Sequence, residues 1–306
     1  MKKSIIIALA SLMISMQATA DTKNTIRFVI SYPAGGPADQ VARLLQNKLE
    51  KELNKNIVVE NRAGNGIACN QILNANPNET VLMMTHPGFI TNSIMNSDSA
   101  CEYNKVKTVA LLGSWSLMLV VSNKFGITDI KKWPVGVTYA TTGIGTGGHL
   151  IGEMLSATTK LDMRHVPYKG VPQYMPDLMS GEVNASFTPA GSVVPYIREN
   201  KILPVAVTSA RRNKELPNVP TLEELGYKNI DSPTWMHIFA NTSDSEDAVK
   251  VQTAMKNILS DKELTDKLNA IGLETVDSSK TVPPKDFIKL EHAKFEKIIG
   301  KVKIVN

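Results

Sequence analysis

The sequence contains few of the residues on which metal and thiol chemistry depend. Its 306 residues include two cysteines, Cys69 and Cys101, and five histidines. None of them has CxxC, HExxH or zinc-ligand spacing, and the chain lacks the GxSxG and P-loop GK[ST] motifs. The strongest signatures of a metalloenzyme, a thiol oxidoreductase, an elbow-type serine hydrolase and a P-loop protein are missing. We therefore expect neither a metal nor a cofactor.

An excess of charge of either sign is also absent. The chain has 34 Lys and Arg against 29 Asp and Glu, which gives a formal net charge of +5. The basic residues form no block and are not interleaved with aromatic residues, as they are in many nucleic-acid-binding segments. The composition therefore predicts no nucleic-acid partner.

Long apolar runs are missing everywhere except at the N-terminus. There, Lys2 and Lys3 precede an apolar segment from Ile5 to Met16, and Ala18-Thr19-Ala20 follows. This order is typical of a secretory signal peptide with cleavage near Asp21, and the segment is short for a membrane span. Removal of residues 1–20 takes away two lysines and lowers the formal net charge to +3. We expect a periplasmic protein without a lipid anchor; an uncleaved tether is the alternative.

The length predicts two lobes, because 286 residues exceed what one core usually organises. In an oxidising compartment Cys69 and Cys101 would form one disulfide, although two buried thiols fit the sequence equally well. The chain is expected to cross between lobes near Ser122 and to return near Trp235. These two crossings are the hinge candidates.

A strand, a turn and a helix follow one another at the start of the mature chain. The apolar run Ile26 to Ile30 leads into Gly35 and Gly36, and Pro37 stands where a first helical residue belongs. A helix N-terminus with uncovered amides binds anions such as carboxylate or phosphate. Asp39 is interpreted as an acid that complements the helix dipole and leaves the Gly35 and Gly36 amides free. An ordinary strand-to-helix turn is the alternative.

The same order recurs further along the chain. A strand over Val137 to Ala140 precedes the glycine-rich Thr141 to Gly148, and helical periodicity follows over His149 to Thr158. Between the two units, strands over Ile57 to Glu60 and Val81 to Thr85 each end in a turn. Strands alternating with helices predict mixed or parallel sheets whose strand ends gather ligands.

The second turn also satisfies the GxGxxG pattern of dinucleotide-binding proteins, through Gly143, Gly145 and Gly148. In that fold an acidic residue closes the next strand and binds the ribose. Here Asp162 precedes the next strand, Arg164 to Val166, and an exported protein is not expected to use a nicotinamide cofactor. The dinucleotide interpretation is therefore disfavoured.

Several motifs together resemble the Bug or TctC family, the extracytoplasmic solute-binding proteins of tripartite tricarboxylate transporters. They span nearly the whole mature chain, in order. The motifs are Tyr32 to Asp39 (YPAGGPAD), Val59 to Gly64 (VENRAG), Thr141 to Thr146 (TTGIGT), His165 to Gly170 (HVPYKG), Ala206 to Arg212 (AVTSARR) and Leu216 to Glu224 (LPNVPTLEE).

The resemblance implies an α/β, two-lobed periplasmic binding protein fold of type II character, with each lobe a mixed sheet flanked by helices and the ligand between the lobes. The expected divisions are 1–20 for the signal peptide, 21–122 and 235–306 for lobe 1, and 123–234 for lobe 2. The implied ligand is a small carboxylate held by backbone amides and small hydroxyls. The implied partners are the transmembrane subunits of the transporter, and a monomer is expected.

The resemblance, together with the turns, assigns the ligand-binding residues. The first-lobe set is Tyr32, Ala34, Gly35, Gly36, Ala63 and His86, and the second-lobe set is Thr141, Gly143, Gly145, Thr146 and Thr188. Many family members have an acid where this chain has Thr188. Since an acid there would pair with a ligand ammonium, its absence favours plain di- or tricarboxylates or related organic acids over amino acids.

Two other functions remain open from the sequence. The closed form of such a protein can report to a sensor kinase instead of a transporter. An exported hydrolase or isomerase on the same scaffold would need an acid/base group in the cleft, for which His86 and His149 are the candidates. We expect a binding protein rather than an enzyme.

Overall fold

The computed structural model describes residues 24–76, 79–95, 105–230, 234–241, 246–280 and 286–300. The predicted signal peptide, Cys101 and the predicted start of the last helix at Pro283-Pro284 lie outside these ranges. Among the helices of the described residues, none combines the length and apolarity needed to cross a membrane.

Strands and helices alternate along most of the described chain. The strands are β1 (Thr25–Ile30), β2 (Asn56–Asn61), β3 (Thr80–Thr85), β4 (Lys107–Trp115), β5 (Leu117–Ser122), β6 (Thr138–Thr141), β7 (Arg164–Pro167), β8 (Ala185–Pro189), β9 (Ile202–Val207), β10 (Trp235–Ala240) and β11 (Leu273–Thr275). The helices are α1 (Pro37–Leu53), α2 (Asn65–Leu73), α3 (Gly88–Met95), α4 (Gly147–Thr159), α5 (Val171–Ser180), α6 (Ala190–Arg198), α7 (Glu246–Ile258), α8 (Lys262–Ile271) and α9 (Phe287–Ile299).

The strands form two mixed sheets. The first has the order β11-β4-β10-β3-β1-β2, in which β1 is parallel to β2 and β3, and β10 is antiparallel to β3 and β4. The second has the order β7-β6-β8-β5-β9, in which β6 is parallel to β7 and β8, and β5 is antiparallel to β8 and β9. Two mixed sheets flanked by helices confirm the predicted fold class.

The alternation of side chains along each strand divides the core. In β1, Phe28 and Ile30 pack into the cluster that contains α1, α7 and α8, whereas Val29 packs with α2, α3 and α9 on the opposite face. In the second sheet, Leu119 of β5 joins the cluster of α4, and Met118 joins that of α5 and α6. Successive residues of a strand point to opposite faces, so each central strand contributes to two apolar layers.

Helix α1 begins and ends where its sequence predicts. Pro37 occupies the first helical position, where no intrahelical acceptor exists for an N–H. Val41, Leu45 and Leu49 form its buried stripe. The helix stops at Asn54, which adopts the left-handed conformation with φ of 50°. This start places the N-terminus of α1 directly after the loop that follows β1.

The chain passes from the first sheet to the second at Ser116, earlier than the predicted crossing near Ser122. Residues 117–122 form β5, which pairs with β8 and β9 of the second sheet. The sequence-based boundary was wrong here, because two consecutive apolar strands have the same sequence pattern whether they belong to one sheet or to two. The predicted return at Trp235 is the first residue of β10, which lies in the first sheet.

Other local predictions also require correction. The sequence pattern predicts a helical segment over Thr128 to Trp133 and a short helix over Pro220 to Glu224. The structure has only a single 3₁₀ turn, Ile130–Lys132, in the first segment, and turns over residues 222–226 in place of the second helix. Leu290 of α9, expected to face inward, is 57% exposed, whereas Phe295 is buried. The periodicity of a short amphipathic segment does not determine which of its apolar residues meets the core.

Cys69 is buried on α2 and is disulfide-bonded. The sequence left this open between a disulfide and free thiols. The other cysteine of the sequence, Cys101, lies outside the described residues.

Candidate functional site

Loops from both sheets converge at the carboxyl ends of their parallel strands. Residues 31–36 follow β1, His86 and Pro87 follow β3, residues 142–146 follow β6, and residues 168–170 follow β7. Each loop leads directly into the N-terminus of a helix. Strand ends of this kind are where open α/β sheets bind ligands.

Two cavities lie between these loops. The polar chamber, of about 230 Å³, is lined by Ser31, Gly64, Gly66, His86, Asn92, Thr142, Gly143, Ile144, Thr146, Tyr168 and Lys169. The apolar chamber, of about 50 Å³, is lined by Tyr32, Pro33, Gly36, Pro37, Ala38, His86, Pro87, Trp115, Leu117, Thr142, Thr146, Gly147, Gly148, Gly170, Val171, Pro172, Phe187, Pro189 and Thr234. His86, Thr142 and Thr146 line both, and we call these three residues the junction.

His86 offers a neutral hydrogen-bond donor at the junction. Its side chain is 5% exposed, and its Nδ1 accepts a hydrogen bond from the Gly88 amide at 3.1 Å. Burial lowers the pKa of His86 to about 3, so the ring is neutral near pH 7. Because Nδ1 accepts, the proton lies on Nε2. The ring packs against Tyr32 with 4.8 Å between centroids, which fixes its orientation.

The start of α4 supplies backbone donors beside His86. Thr146 is the N-cap: its hydroxyl donates to the Gly143 carbonyl at 2.8 Å and accepts from the His149 amide at 3.5 Å. Gly147 and Gly148 occupy the first two helical positions, whose amides have no acceptor within an α-helix. The helix dipole adds partial positive charge at the same point. The junction is therefore suited to an anion.

Three other glycine amides of these loops are already engaged. Gly35 donates to Asp39 Oδ2 at 3.1 Å, Gly143 donates to Thr141 Oγ1 at 3.2 Å, and Gly145 donates to His149 Nδ1 at 2.9 Å. The expectation that Asp39 leaves the Gly35 amide free was wrong, because the carboxylate folds back onto it. These bonds hold the loops in place, and the donors available to a ligand are those of the helix starts.

The two sheets contact each other directly across the cavities. Thr91 Oγ1 on α3 donates to the Gly145 carbonyl at 2.6 Å. A Cβ added at Gly170 would lie 2.5 Å from Pro33 Cγ, and one at Gly36 would lie 3.7 Å from Pro172 Cδ. Loops of the two sheets are therefore in contact in this structure, and glycines permit their close approach.

The chambers include only part of the predicted ligand-binding set. Tyr32, Gly36, His86, Gly143 and Thr146 line one or both chambers. Neither lining includes the other predicted residues, which are Ala34, Gly35, Ala63, Thr141, Gly145 and Thr188. Of these, Ala34 and Gly35 are exposed and Thr141 is buried behind the second-sheet loop.

Thr188 was expected to face the ligand and points away from it. Its Oγ1 lies 2.8 Å from the Tyr174 hydroxyl and 2.7 Å from Ser186 Oγ, in a buried hydroxyl cluster. Its neighbours on β8, Phe187 and Pro189, line the apolar chamber. The alternation of a strand places Thr188 on the opposite face.

Sequence reasoning missed several lining residues. Gly170 and Pro172 surround the start of α5 and repeat the strand, glycine and helix order seen at α1 and α4. That repetition was a usable signal. No sequence pattern indicated Trp115 and Leu117. They line the apolar chamber because they flank Ser116, where the chain passes from one sheet to the other.

A second pair of histidines supports the loop of the second sheet from behind. His149 and His165 stack with 3.9 Å between ring centroids, and His165 Nε2 lies 2.7 Å from Thr141 Oγ1. Burial lowers the pKa of His149 to about 4 and that of His165 to about 3. His149 lines neither chamber, and its Nδ1 is used to hold Gly145.

The electrostatic character of the cavities follows from their few ionisable groups. Among the described residues that line either chamber, Lys169 is the only one with a formal charge, and none is an Asp or Glu. Tyr168 beside it donates to Asp177 Oδ2 at 2.6 Å, and burial together with Asp177 raises the pKa of Tyr168 to about 12. The site therefore combines neutral donors with one cation at its polar end.

Comparison with known proteins agrees with this geometry. Residues 41–304 match the family described as the tripartite tricarboxylate transporter family receptor, TctC. The structure is similar to that of the periplasmic binding protein BugD, with a TM-score of 0.80 and 25% identity over 90% of this chain and 97% of BugD.

Two further solved structures share the fold. MatC from Rhodopseudomonas palustris, solved with bound malate, has a TM-score of 0.80 at 23% identity, covering 90% of this chain and 98% of MatC. An R. palustris protein solved with adipate has a TM-score of 0.81 at 22% identity, covering 90% of this chain and 96% of that protein. The family resemblance predicted from the sequence motifs is confirmed: the chain belongs to the TctC family of tripartite tricarboxylate transporter receptors.

Proposed function

We propose that this protein is an extracytoplasmic solute-binding protein that captures a small organic carboxylate for a tripartite tricarboxylate-type transporter. The observation that carries the proposal is the junction. There, the buried neutral His86, Thr142 and the start of α4, which is capped by the neutral hydroxyl of Thr146, line both chambers, and Lys169 lines the polar chamber. Carboxylates are organic anions that match several neutral donors and a helix N-terminus, and the relatives' ligands favour them over phosphates.

The energetics of such a site suit a transport receptor. Hydrogen bonds to a charged group contribute about 1.5–3 kcal/mol each. Three or four of them reach the roughly −8 kcal/mol of a micromolar dissociation constant. The malate- and adipate-bound proteins of the same fold support a small organic acid, including the di- or tricarboxylates that the sequence suggested.

The preference for plain acids over amino acids rests on new grounds. Thr188 lines neither chamber, and its hydroxyl is bonded to Tyr174 and Ser186, so the lack of an acid at that position is no longer an argument about the ligand. Instead, no Asp or Glu is found among the described residues that line the chambers. A ligand ammonium would therefore be desolvated without a carboxylate partner, which is costly.

The two sheets are proposed to act as two lobes, approximately as the sequence divided them but with the first crossing at Ser116. Export to the periplasm and docking on transmembrane subunits follow from the family and from the predicted signal peptide. Binding without turnover is also part of the proposal. The acid/base candidates offer little reactivity, since His149 lines neither chamber and His86 uses Nδ1 to accept from Gly88.

A screen of ligands tests the proposal. The exported protein, purified and stripped of ligand by partial unfolding, is titrated calorimetrically at pH 7.5 with aliphatic carboxylates, their primary amides, amino acids and inorganic phosphate. We expect micromolar binding of at least one carboxylate and none of its amide, with the carboxylate recovered unchanged. Binding of phosphate alone, or product formation detected by NMR, would contradict the proposal.

A further inference from the structure

The apolar chamber has walls unlike those of the polar chamber. Tyr32, Trp115, Leu117 and Phe187 contribute aromatic and aliphatic surface, and several prolines complete it. No formally charged side chain is found among the described residues that line it. A ligand group inside this chamber would exchange water for apolar contacts.

Two of the helix starts around the apolar chamber have fewer free backbone N–H donors than helix starts usually do. Pro37 is the first residue of α1, and Pro172 is the second residue of α5. Proline has no N–H, so each start lacks one of the amides that normally point out of a helix. In their place, proline rings line the chamber. The amides of Gly147 and Gly148 at α4 remain, and they adjoin the junction.

The two chambers adjoin each other at the junction. His86, Thr142 and Thr146 line both, so a ligand whose anionic group lies at these residues can extend in either direction. One direction leads to the polar chamber with Lys169, and the other leads to the apolar chamber. The apolar chamber, of about 50 Å³, holds about three to five non-hydrogen atoms, if each occupies about 10–15 Å³.

We propose that the ligand is an amphiphilic monocarboxylate: one carboxylate at the junction and an apolar tail of about three to five carbons in the apolar chamber. This inference rests on the proposed function and narrows its substrate class. A dicarboxylate that extends from the junction toward Lys169 leaves the apolar chamber empty and gains none of its apolar contacts. If it extends the other way, its second carboxylate enters a chamber that has no cation among its described lining residues. Such a charge is unfavourable when it is removed from water without a partner.

Pairs of acids that differ only at the far end of the chain test this inference. Pentanoate, hexanoate and heptanoate are compared with glutarate, adipate and pimelate by calorimetry at pH 7.5. We expect each monocarboxylate to bind about tenfold or more tightly than its partner. Within a series from propanoate to octanoate, each methylene should tighten binding about fourfold until the chamber is full.

The possible outcomes separate the two proposals. Equal or tighter binding of the dicarboxylates, or affinity that is independent of chain length, would overturn the amphiphilic ligand while leaving the proposed function intact. If no acid of either series binds and the ligand screen also finds none, the proposed function itself fails.

A variant that fills the apolar chamber provides a second test. Leu117 is 6% exposed and lines the chamber. Leu117→Phe should shorten the longest tail accepted, so the gain in affinity per methylene should end one or two carbons earlier than in the unaltered protein. Leu225→Phe, at a site 36% exposed and outside both linings, is the matched control. Circular dichroism and the unliganded melting temperature verify folding. An unchanged length profile in folded Leu117→Phe would contradict the assignment of the tail to this chamber.

Discussion

At the scale of single residues, the glycines of the cleft differ in what they permit. Gly36 has extended backbone angles, φ −82° and ψ 173°, and a Cβ there would meet Pro172 Cδ and the Pro33 carbonyl at ordinary contact distances of 3.7 Å. Gly145 adopts φ of +74°, and a Cβ there would come within 2.4 Å of Thr91 Oγ1. Gly170 has an extended backbone, but a Cβ there would collide with Pro33. Closure therefore depends on some glycines more than on others.

Substitution of Gly170 and Gly36 by alanine should separate these roles. In Gly170→Ala the added methyl lies 2.5 Å from Pro33 Cγ, so closure requires one loop to move. Overpacking of this kind costs about 1–3 kcal/mol, which corresponds to a dissociation constant raised about 5- to 150-fold. Gly36→Ala adds the same methyl with room for it and should bind normally.

Calorimetry with the tightest acid of the screen measures both variants, and the unliganded melting temperature shows whether the fold is intact. Equal affinities in the two variants would remove Gly170 from the closing contact. A larger side chain at Gly36, such as leucine, should weaken binding, because it must extend into the apolar chamber.

At the scale of elements, the helix starts differ in how they are capped. Asp39 in the first turn of α1 holds the Gly35 amide, and Asp261 caps α8 through the Glu263 and Leu264 amides. Thr146 at α4 caps with a hydroxyl and lines both chambers. The start of α4 thus stabilises its helix with a small neutral group, which leaves the dipole and the amides of the next residues for the ligand.

Thr146→Ala should therefore affect stability and binding together. Loss of a Thr N-cap lowers the free energy of unfolding by about 1 kcal/mol. Loss of the hydrogen bond from the Thr146 hydroxyl to the Gly143 carbonyl also loosens the loop. We expect urea unfolding to show a decrease of about 0.5–2 kcal/mol and calorimetry to show weaker acid binding. Thr146→Ser retains the hydroxyl and should restore both. If Thr146→Ser behaves like Thr146→Ala, the methyl group matters and the cap does not.

At the scale of the whole molecule, the buried His86, His149 and His237 and the half-buried His165 make the stability of the fold depend on pH. Burial is the first cause that lowers the pKa of His86, His165 and His237 to about 3 and that of His149 to about 4. His237 of β10 stacks on Phe239 of the same strand and on Phe287 of α9, with distances between ring centroids of 4.4 and 5.0 Å. All four are neutral in the folded protein at pH values where the unfolded chain binds protons.

The free energy of unfolding should therefore decrease on acidification at pH values well above the pKa values of carboxylates. The histidines have pKa values near 6.5 in the unfolded chain. Their contribution to stability is therefore fully present above about pH 6.5, and it is lost as the pH falls toward their pKa values in the folded protein. Each proton taken up on unfolding contributes about 1.4 kcal/mol per pH unit. The urea midpoint at pH 7.5, 6.5 and 5.5 measures this slope.

The variant His237→Phe provides the control for the pH dependence. It preserves an aromatic ring in the stack and removes one titrating group. The number of protons taken up on unfolding, which sets the slope of stability against pH between 6.5 and 5.5, should therefore decrease by up to one. Glu60 and Asp261, whose pKa values are lowered by Arg27 and Lys48, act below about pH 4.5 and do not contribute in this range. A stability that is constant from pH 7.5 to 5.5 would contradict neutral buried histidines.

Much of the fold was accessible from local sequence patterns. The run Ile26 to Ile30 with Gly35, Gly36 and Pro37 predicted β1 and the start of α1, and Asp261 predicted the cap of α8. Such features depend on residues within a few positions of one another. The same patterns did not reveal the crossing at Ser116, the outward face of Leu290 or the helix α6, which contains Pro195, since each depends on packing between distant segments.

By itself, the sequence determined the α/β class, the family and the fact that helix starts follow the strands. Only the tertiary structure decided which groups line the cavities. It turned Thr188 away through the alternation of β8, engaged the Gly143 and Gly145 amides within their own loop, and brought Trp115 and Leu117 to the apolar chamber. The physical reason is that hydrogen-bond partners and cavity walls are chosen by closure of the two sheets on each other, as in the bond from Thr91 to Gly145.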